Sequence, residues 1–329
     1  MYYVDGDKGF ITEENKKEHE YPTYGRQFLA YKWYKPLLVI LVFMFFYIIL
    51  ATALDIGVKL LTGYSNELNT LSDYYDTMDM TNIYQQITSL GGVAMMIPSL
   101  WIASKIVRDR PFSSYSSSRG GWNSKVFWKC MGYGILCVVL PNILVAIFVD
   151  HALDDFHNEF TVLSFIILTV LGPLQCIAEE YAFRGLLMQT LGSWTKVPII
   201  AIIAQSLVFV LVHPYDNLGK VCIFISGTAF ALAAWFGNGI EASSAMHVCN
   251  NMCAFYMQGL GLGTISSGTD MEEFCMTVFV AVAYVTAIVL ATRKKKIFSR
   301  IRKDDREDPN RKYAEKMEKK AAKHQKKEA

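Results

Sequence analysis

The sequence predicts an all-α protein threaded through a membrane, with about eight helical spans. Three observations carry this. The run PLLVILVFMFFYIILATAL at 36–54 contains no charged side chain, and about 20 such residues in a helix cross the hydrocarbon core of a bilayer. Seven further apolar runs follow it along the 329 residues. Between the runs, basic and acidic loops alternate. Hydrophobic residues make up 52% of the chain, little more than in a soluble domain, so the signal lies in their concentration into runs.

The spans are expected at roughly 36–54, 84–107, 127–149, 161–190, 197–213, 221–237, 241–262 and 274–292. The fourth is too long for one straight crossing, so it is expected to kink at Pro173 or to end along the membrane surface. Lys and Arg mark the side. Lys8, Lys16, Lys17, Arg26, Lys32 and Lys35 precede the first span. Lys105, Arg108, Arg110, Arg119 and Lys125 lie between the second and third, and Arg293 to Lys296 follow the last. The alternate loops are acidic, with Glu67, Asp73, Asp76 and Asp79, then Asp150, Asp154, Asp155 and Glu159, then Asp270, Glu272 and Glu273. Positive-inside counting therefore puts both termini in the cytoplasm of what is expected to be a bacterial plasma membrane.

On these grounds the chain divides into an arm (1–35), two spans with a basic loop (36–124), a membrane domain (125–292) and a charged tail (293–329). The apolar run after the arm is too long for the core of a cleavable signal. A formal net charge of +2 suggests no nucleic-acid role; the expected partners are membrane lipid and a substrate. The seven cysteines are scattered. Cys249 and Cys253, one helical turn apart, read as small apolar helix residues.

Polar residues inside the spans carry the chemistry. A charge in hydrocarbon costs several kcal/mol, yet the fourth span reads LTVLGPLQCIAEEYAFRGLLMQTLG. Glu180 and Arg184 stand at i and i+4 and can pair. Glu179 lies about 100° around the helix, free for another task. Phe209 and His213 share a helix face in FVLVH, as do His247 and Asn251 in HVCNN, and these are the only two histidines within spans. A hairpin turning near residue 196 brings Glu179 and His213 to similar depth. His247 lies only a few residues past the Gly237–Gly239 turn, so straight helices would place it nearer the inner face.

A carboxylate and an imidazole sharing a water make a general base. A second imidazole and an amide can donate to the oxyanion of a tetrahedral intermediate. The chain has no GxSxG elbow and no HExxH motif.

Glu179-Glu180-Tyr-Ala-Phe-Arg184, Phe209-Val-Leu-Val-His213 and His247-Val-Cys-Asn-Asn251 resemble, in order, the EExxxR, FxxxH and HxxxN motifs of the CAAX-protease and bacteriocin-processing (Abi) family of intramembrane proteases. The resemblance covers roughly residues 125–262. It implies an endopeptidase acting on a peptide or a lipidated protein. Glu179 and His213 would activate the water, and His247 and Asn251 would form the oxyanion site. Glu180, Arg184 and Phe209 would support them. Glu179, His213 and His247 would also suit zinc, with an open water position; a metal-free glutamate mechanism uses the same residues, and no obligatory metal is the reading adopted. Two other classes stay open: a non-enzymatic immunity or scaffold protein, and a proton-coupled transporter, since buried carboxylates and histidines also line proton paths.

Overall fold

The structure is a computed structural model and describes residues 20–28, 30–64 and 77–293. Most of the expected N-terminal arm, the acidic residues Glu67, Asp73 and Asp76, and the charged tail from Lys294 lie outside these residues.

Each of the eight apolar runs is helical. The helices are α1 (Lys35–Thr62), α2 (Ile83–Val107), α3 (Ser124–Phe148), α4 (Val162–Thr195), α5 (Pro198–Leu211), α6 (Asn217–Gly237), α7 (Ile240–Gly259) and α8 (Met271–Arg293). Among the described residues there is no strand, only an isolated bridge between Ser117 and Gly239.

Local chemistry starts and stops these helices. Asn123 accepts from the Lys125 and Val126 amides at the head of α3, and Thr161 and Ser164 form a reciprocal cap at the head of α4. Asp216 accepts from the Gly219 amide at the head of α6. Pro36 and Pro198 open α1 and α5, where the missing N–H costs nothing. Asn238 ends α6 in the left-handed conformation, which asparagine tolerates.

Six of the helices are long and apolar enough to cross a membrane. The other two fall short of the eight expected spans for different reasons. α5 has 14 residues, about 21 Å of helix against a core of about 30 Å. α7 carries Glu241, Ser243, Ser244, His247, Asn250 and Asn251, too many polar groups for contact with lipid. It is sheltered instead, packed among α3, α4 and α6. The outer faces of α1 and α4 show the opposite pattern, with Leu41, Phe45, Ile48, Phe165, Ile166 and Val170 exposed.

α4 packs its last turns against other parts of the protein. Its 34 residues measure about 51 Å. After Glu180 the helix widens into a π-helical stretch, Tyr181–Met188. Its last turns bury Gln189, Thr190, Gly192 and Ser193 against a short 3-10 helix at Tyr21–Gln27 and against α5. The α2–α3 connection packs beside the same stretch, with the Tyr115 carbonyl against Gly185.

That connection forms a floor beneath α7. Arg119 and Glu241 pair at 2.6 Å, the Asn123 amide donates to Glu241 at 2.9 Å, and Ser117 and Ser118 donate to the Asn238 carbonyl. α7 therefore starts against the α2–α3 connection, and His247 meets Glu180 of α4 although counting along straight helices puts it nearer the inner face.

Candidate active site within the helix bundle

α4 supplies the carboxylates. Glu180 and Arg184 pair at 2.8 Å with both side chains fully buried, as their i, i+4 spacing predicts. Arg184 is further enclosed: it donates to the Gly227 carbonyl at 3.0 Å and its guanidinium lies 4.5 Å from the Phe209 ring and 5.1 Å from the Phe230 ring. Gly227 lets the backbone come close here: a Cβ would press on Phe209 at 3.2 Å, and the ring would have to shift by a few tenths of an ångström.

α7 brings the second half. His247 Nδ1 lies 3.0 Å from Glu180 Oε1. An ionised carboxylate only accepts, so Nδ1 donates and the pair fixes the ring's orientation. The same ring stacks on Phe230 at 4.7 Å. Its other nitrogen, Nε2, faces Glu179 Oε2 at 3.7 Å and Asn251 Nδ2 at 3.3 Å. Glu179 is 8% exposed. Gln175 Nε2 donates to its Oε1 at 2.7 Å, while its Oε2 is buried without a hydrogen-bond partner. A gap of 3.7 Å is too long for a hydrogen bond.

Five of the residues singled out by sequence thus converge: Glu179, Glu180, Arg184, His247 and Asn251. His213 does not join them directly. α5 ends at Leu211, and His213 lies in the turn before Pro214, a residue that pushes its predecessor out of helical geometry. Its Nδ1 bonds the Phe209 carbonyl at 2.7 Å, which leaves Nε2 open. The Phe209 ring contacts both histidines, 4.3 Å from the His213 ring and 6.4 Å from that of His247.

The separation of His213 bears on the zinc set. Glu179 and His247 approach as two metal ligands would, but His213 is not gathered with them. Among the described residues no three His, Cys, Asp or Glu side chains are placed to hold a metal ion.

The motifs did not reveal Gln175 or Phe230. Gln175 had a readable signal, because it precedes Glu179 by one helical turn, the spacing that singled out Glu180 and Arg184. Phe230, an ordinary apolar residue of α6, had none.

This fold and site define a class: a polytopic helical membrane protein whose buried carboxylates, histidine and amide meet where α4 and α7 pack together. Residues 159–253 match the model of a family described as type II CAAX prenyl endopeptidase, Rce1-like, so the resemblance carried by the three motifs is shown for this segment. The chain is also 29% identical over 222 residues to the uncharacterised protein YyaK of Bacillus subtilis (strain 168), covering 61% of this chain and 73% of that protein. No solved structure matches.

Proposed function

We propose that the protein is an intramembrane endopeptidase that hydrolyses a peptide bond with water activated by Glu179. The observation that carries this reading is the state of that carboxylate. One oxygen is held by Gln175, and the other is buried and without a hydrogen bond, 3.7 Å from His247 Nε2. A buried acceptor left open costs about 1–3 kcal/mol, which is a reason to look for a ligand, and a water that bonds both groups is the simplest.

In the reaction, Glu179 takes a proton from the water as its oxygen attacks the substrate carbonyl carbon. It then gives the proton to the leaving nitrogen as the C–N bond breaks. His213, with Nε2 open, is the second group assigned to the water. The Asn251 amide is assigned to the oxyanion, together with His247 once its Nε2 carries a proton. Glu180, Arg184 and Phe209 hold His247 and α4 in place. The turn at His213 is flanked by Leu211 at 82% and Val212 at 57% exposure, apolar surface that suits a substrate drawn from the bilayer. The matched family's description adds the expected class, a prenylated protein ending in a CAAX sequence.

The test uses the full chain reconstituted in liposomes with two probes, a farnesylated peptide ending in CAAX and its unprenylated twin. The proposal expects cleavage that Glu179→Ala abolishes, faster for the farnesylated probe. Cleavage unchanged by Glu179→Ala sinks the glutamate mechanism. No cleavage of either probe, with a cellular phenotype that survives Glu179→Ala but not deletion, favours an immunity or scaffold role. The glutamate reading also expects turnover to survive a zinc chelator; loss restored by added zinc would replace it with a metallopeptidase.

A further inference from the structure

Three side-chain amides form a directed chain that ends on the Glu179 carboxylate. Asn250 Nδ2 donates to Asn251 Oδ1 at 3.2 Å, Asn251 Nδ2 to Gln175 Oε1 at 3.4 Å, and Gln175 Nε2 to Glu179 Oε1 at 2.7 Å. The direction follows from the last member. A carboxylate can only accept, so the Gln175 nitrogen must face Glu179 and its oxygen must face Asn251, which in turn must offer its nitrogen. The bond to the charge is the shortest, as a charge-assisted bond should be. The chain begins at Asn250, which is exposed, and ends among buried groups.

Gln175 is the only link in this chain between α4 and α7. Resting on the peptidase reading above, we propose that Gln175 is a positioning residue: one end of its amide fixes the Glu179 carboxylate, the other holds the Asn251 amide, and together they set the water-activating group against the oxyanion donor. Three features make it suited to that task. It is buried, so its bonds do not compete with bulk water. It sits one helical turn before Glu179, so α4 fixes the distance between them. Both hydrogens of Asn251 Nδ2 are engaged, by Gln175 at 3.4 Å and by His247 Nε2 at 3.3 Å. Both bonds are long, so the amide is aimed yet able to yield a hydrogen to a developing oxyanion. In low dielectric, successive donors polarise one another toward the anion.

The experiment measures kcat and KM separately for the full chain in liposomes, on the farnesylated peptide. Gln175→Met keeps the length and apolar packing of the side chain and deletes its bonds to Glu179 and Asn251, along with a weaker one from the Cys176 thiol. It should lower kcat about tenfold or more, since small misplacements of reacting groups are costly, with KM within about twofold. Gln175→Glu keeps the shape and the acceptor for Asn251 but replaces the donor to Glu179 with a like charge, so it should fall below Gln175→Met. Coupling is read from Asn251→Ala with and without Gln175→Met. If Gln175 acts partly through Asn251, the combined loss is less than the product of the single losses. A purely structural role predicts lost thermal stability with an unchanged kcat per folded molecule, and that result overturns the proposal. So do losses that simply multiply. Cleavage that persists in Glu179→Gln overturns the peptidase mechanism itself, whereas a dead Glu179→Gln beside a fully active Gln175→Met overturns only the role of Gln175.

Discussion

Two clusters of buried charge lie along α4 and α7, and they are built differently. The floor beneath α7 closes on itself. Arg119 and Glu241 pair at 2.6 Å, with the Asn123 amide on the second Glu241 oxygen. Beside it Asp109, Arg110, Tyr115 and Tyr21 are tied to one another and to Gln189. In the cluster further along both helices, Glu180 and Arg184 pair in the same way, although Glu180 Oε2 and Arg184 Nε lack hydrogen-bond partners; Glu179 also keeps one buried oxygen without a partner, and that oxygen is the one facing His247 Nε2. Buried charge that satisfies itself holds a structure together. Buried charge that leaves an acceptor open beside an oriented imidazole has something still to bind.

The sharpest way to break this contrast is to neutralise one member of each cluster. Glu179→Gln should cost on the order of 100- to 10,000-fold in turnover, the range for a general base, while the midpoint of thermal unfolding moves little. A large stability loss there would make the site another structural cluster. Arg119→Ala should do the reverse. It strands Glu241 in the interior, which costs about 3–5 kcal/mol, read as a lower unfolding midpoint. Replacing both partners by apolar residues of similar volume should recover most of that loss; failure to recover would mean that the pair does more than balance charge.

A smaller effect is expected at Gly192, where a Cβ would run into the Pro22 carbonyl of the 3-10 helix. Gly192→Ala should lift that helix from its seat at about 1–3 kcal/mol, seen as new protease cleavage near residue 28. Unchanged resistance would show that the segment adds little. The smallest effect belongs to Asp109. Burial raises its carboxyl above the ordinary carboxylate range, with Arg110 and Tyr115 pulling it part of the way back. A group raised in the folded state favours folding below its unfolded pKa, and that contribution is lost as pH rises through the raised value. Asp109→Asn should therefore match the native protein in acid and become relatively more stable as pH rises through that window, by unfolding midpoints across a pH series. No divergence would mean that Arg110 offsets burial fully.

Much of the fold was legible because helices announce themselves locally. The eight apolar runs and the pairing of Glu180 with Arg184 follow from composition and from 3.6 residues per turn, and the structure has them. The arrangement between helices was less legible. Counting along straight spans left His247 nearer the inner face than Glu179, yet it meets Glu180, because no local pattern shows how α7 packs against α4. The basic loop told a similar story: Arg110 and Arg119 counted as positive-inside charges, yet both are buried in ion pairs.

The sequence by itself determined the helical membrane class and the residues worth watching, since a charge in an apolar run is conspicuous wherever the chain goes and i, i+4 neighbours share a face in any helix. Only the tertiary structure decided which of them meet. It put His247 on Glu180, set Gln175 between Glu179 and Asn251, and set His213 against the Phe209 ring. The physical reason is that contacts between helices depend on packing register and on where each helix starts, and these are properties of the folded bundle rather than of any one segment.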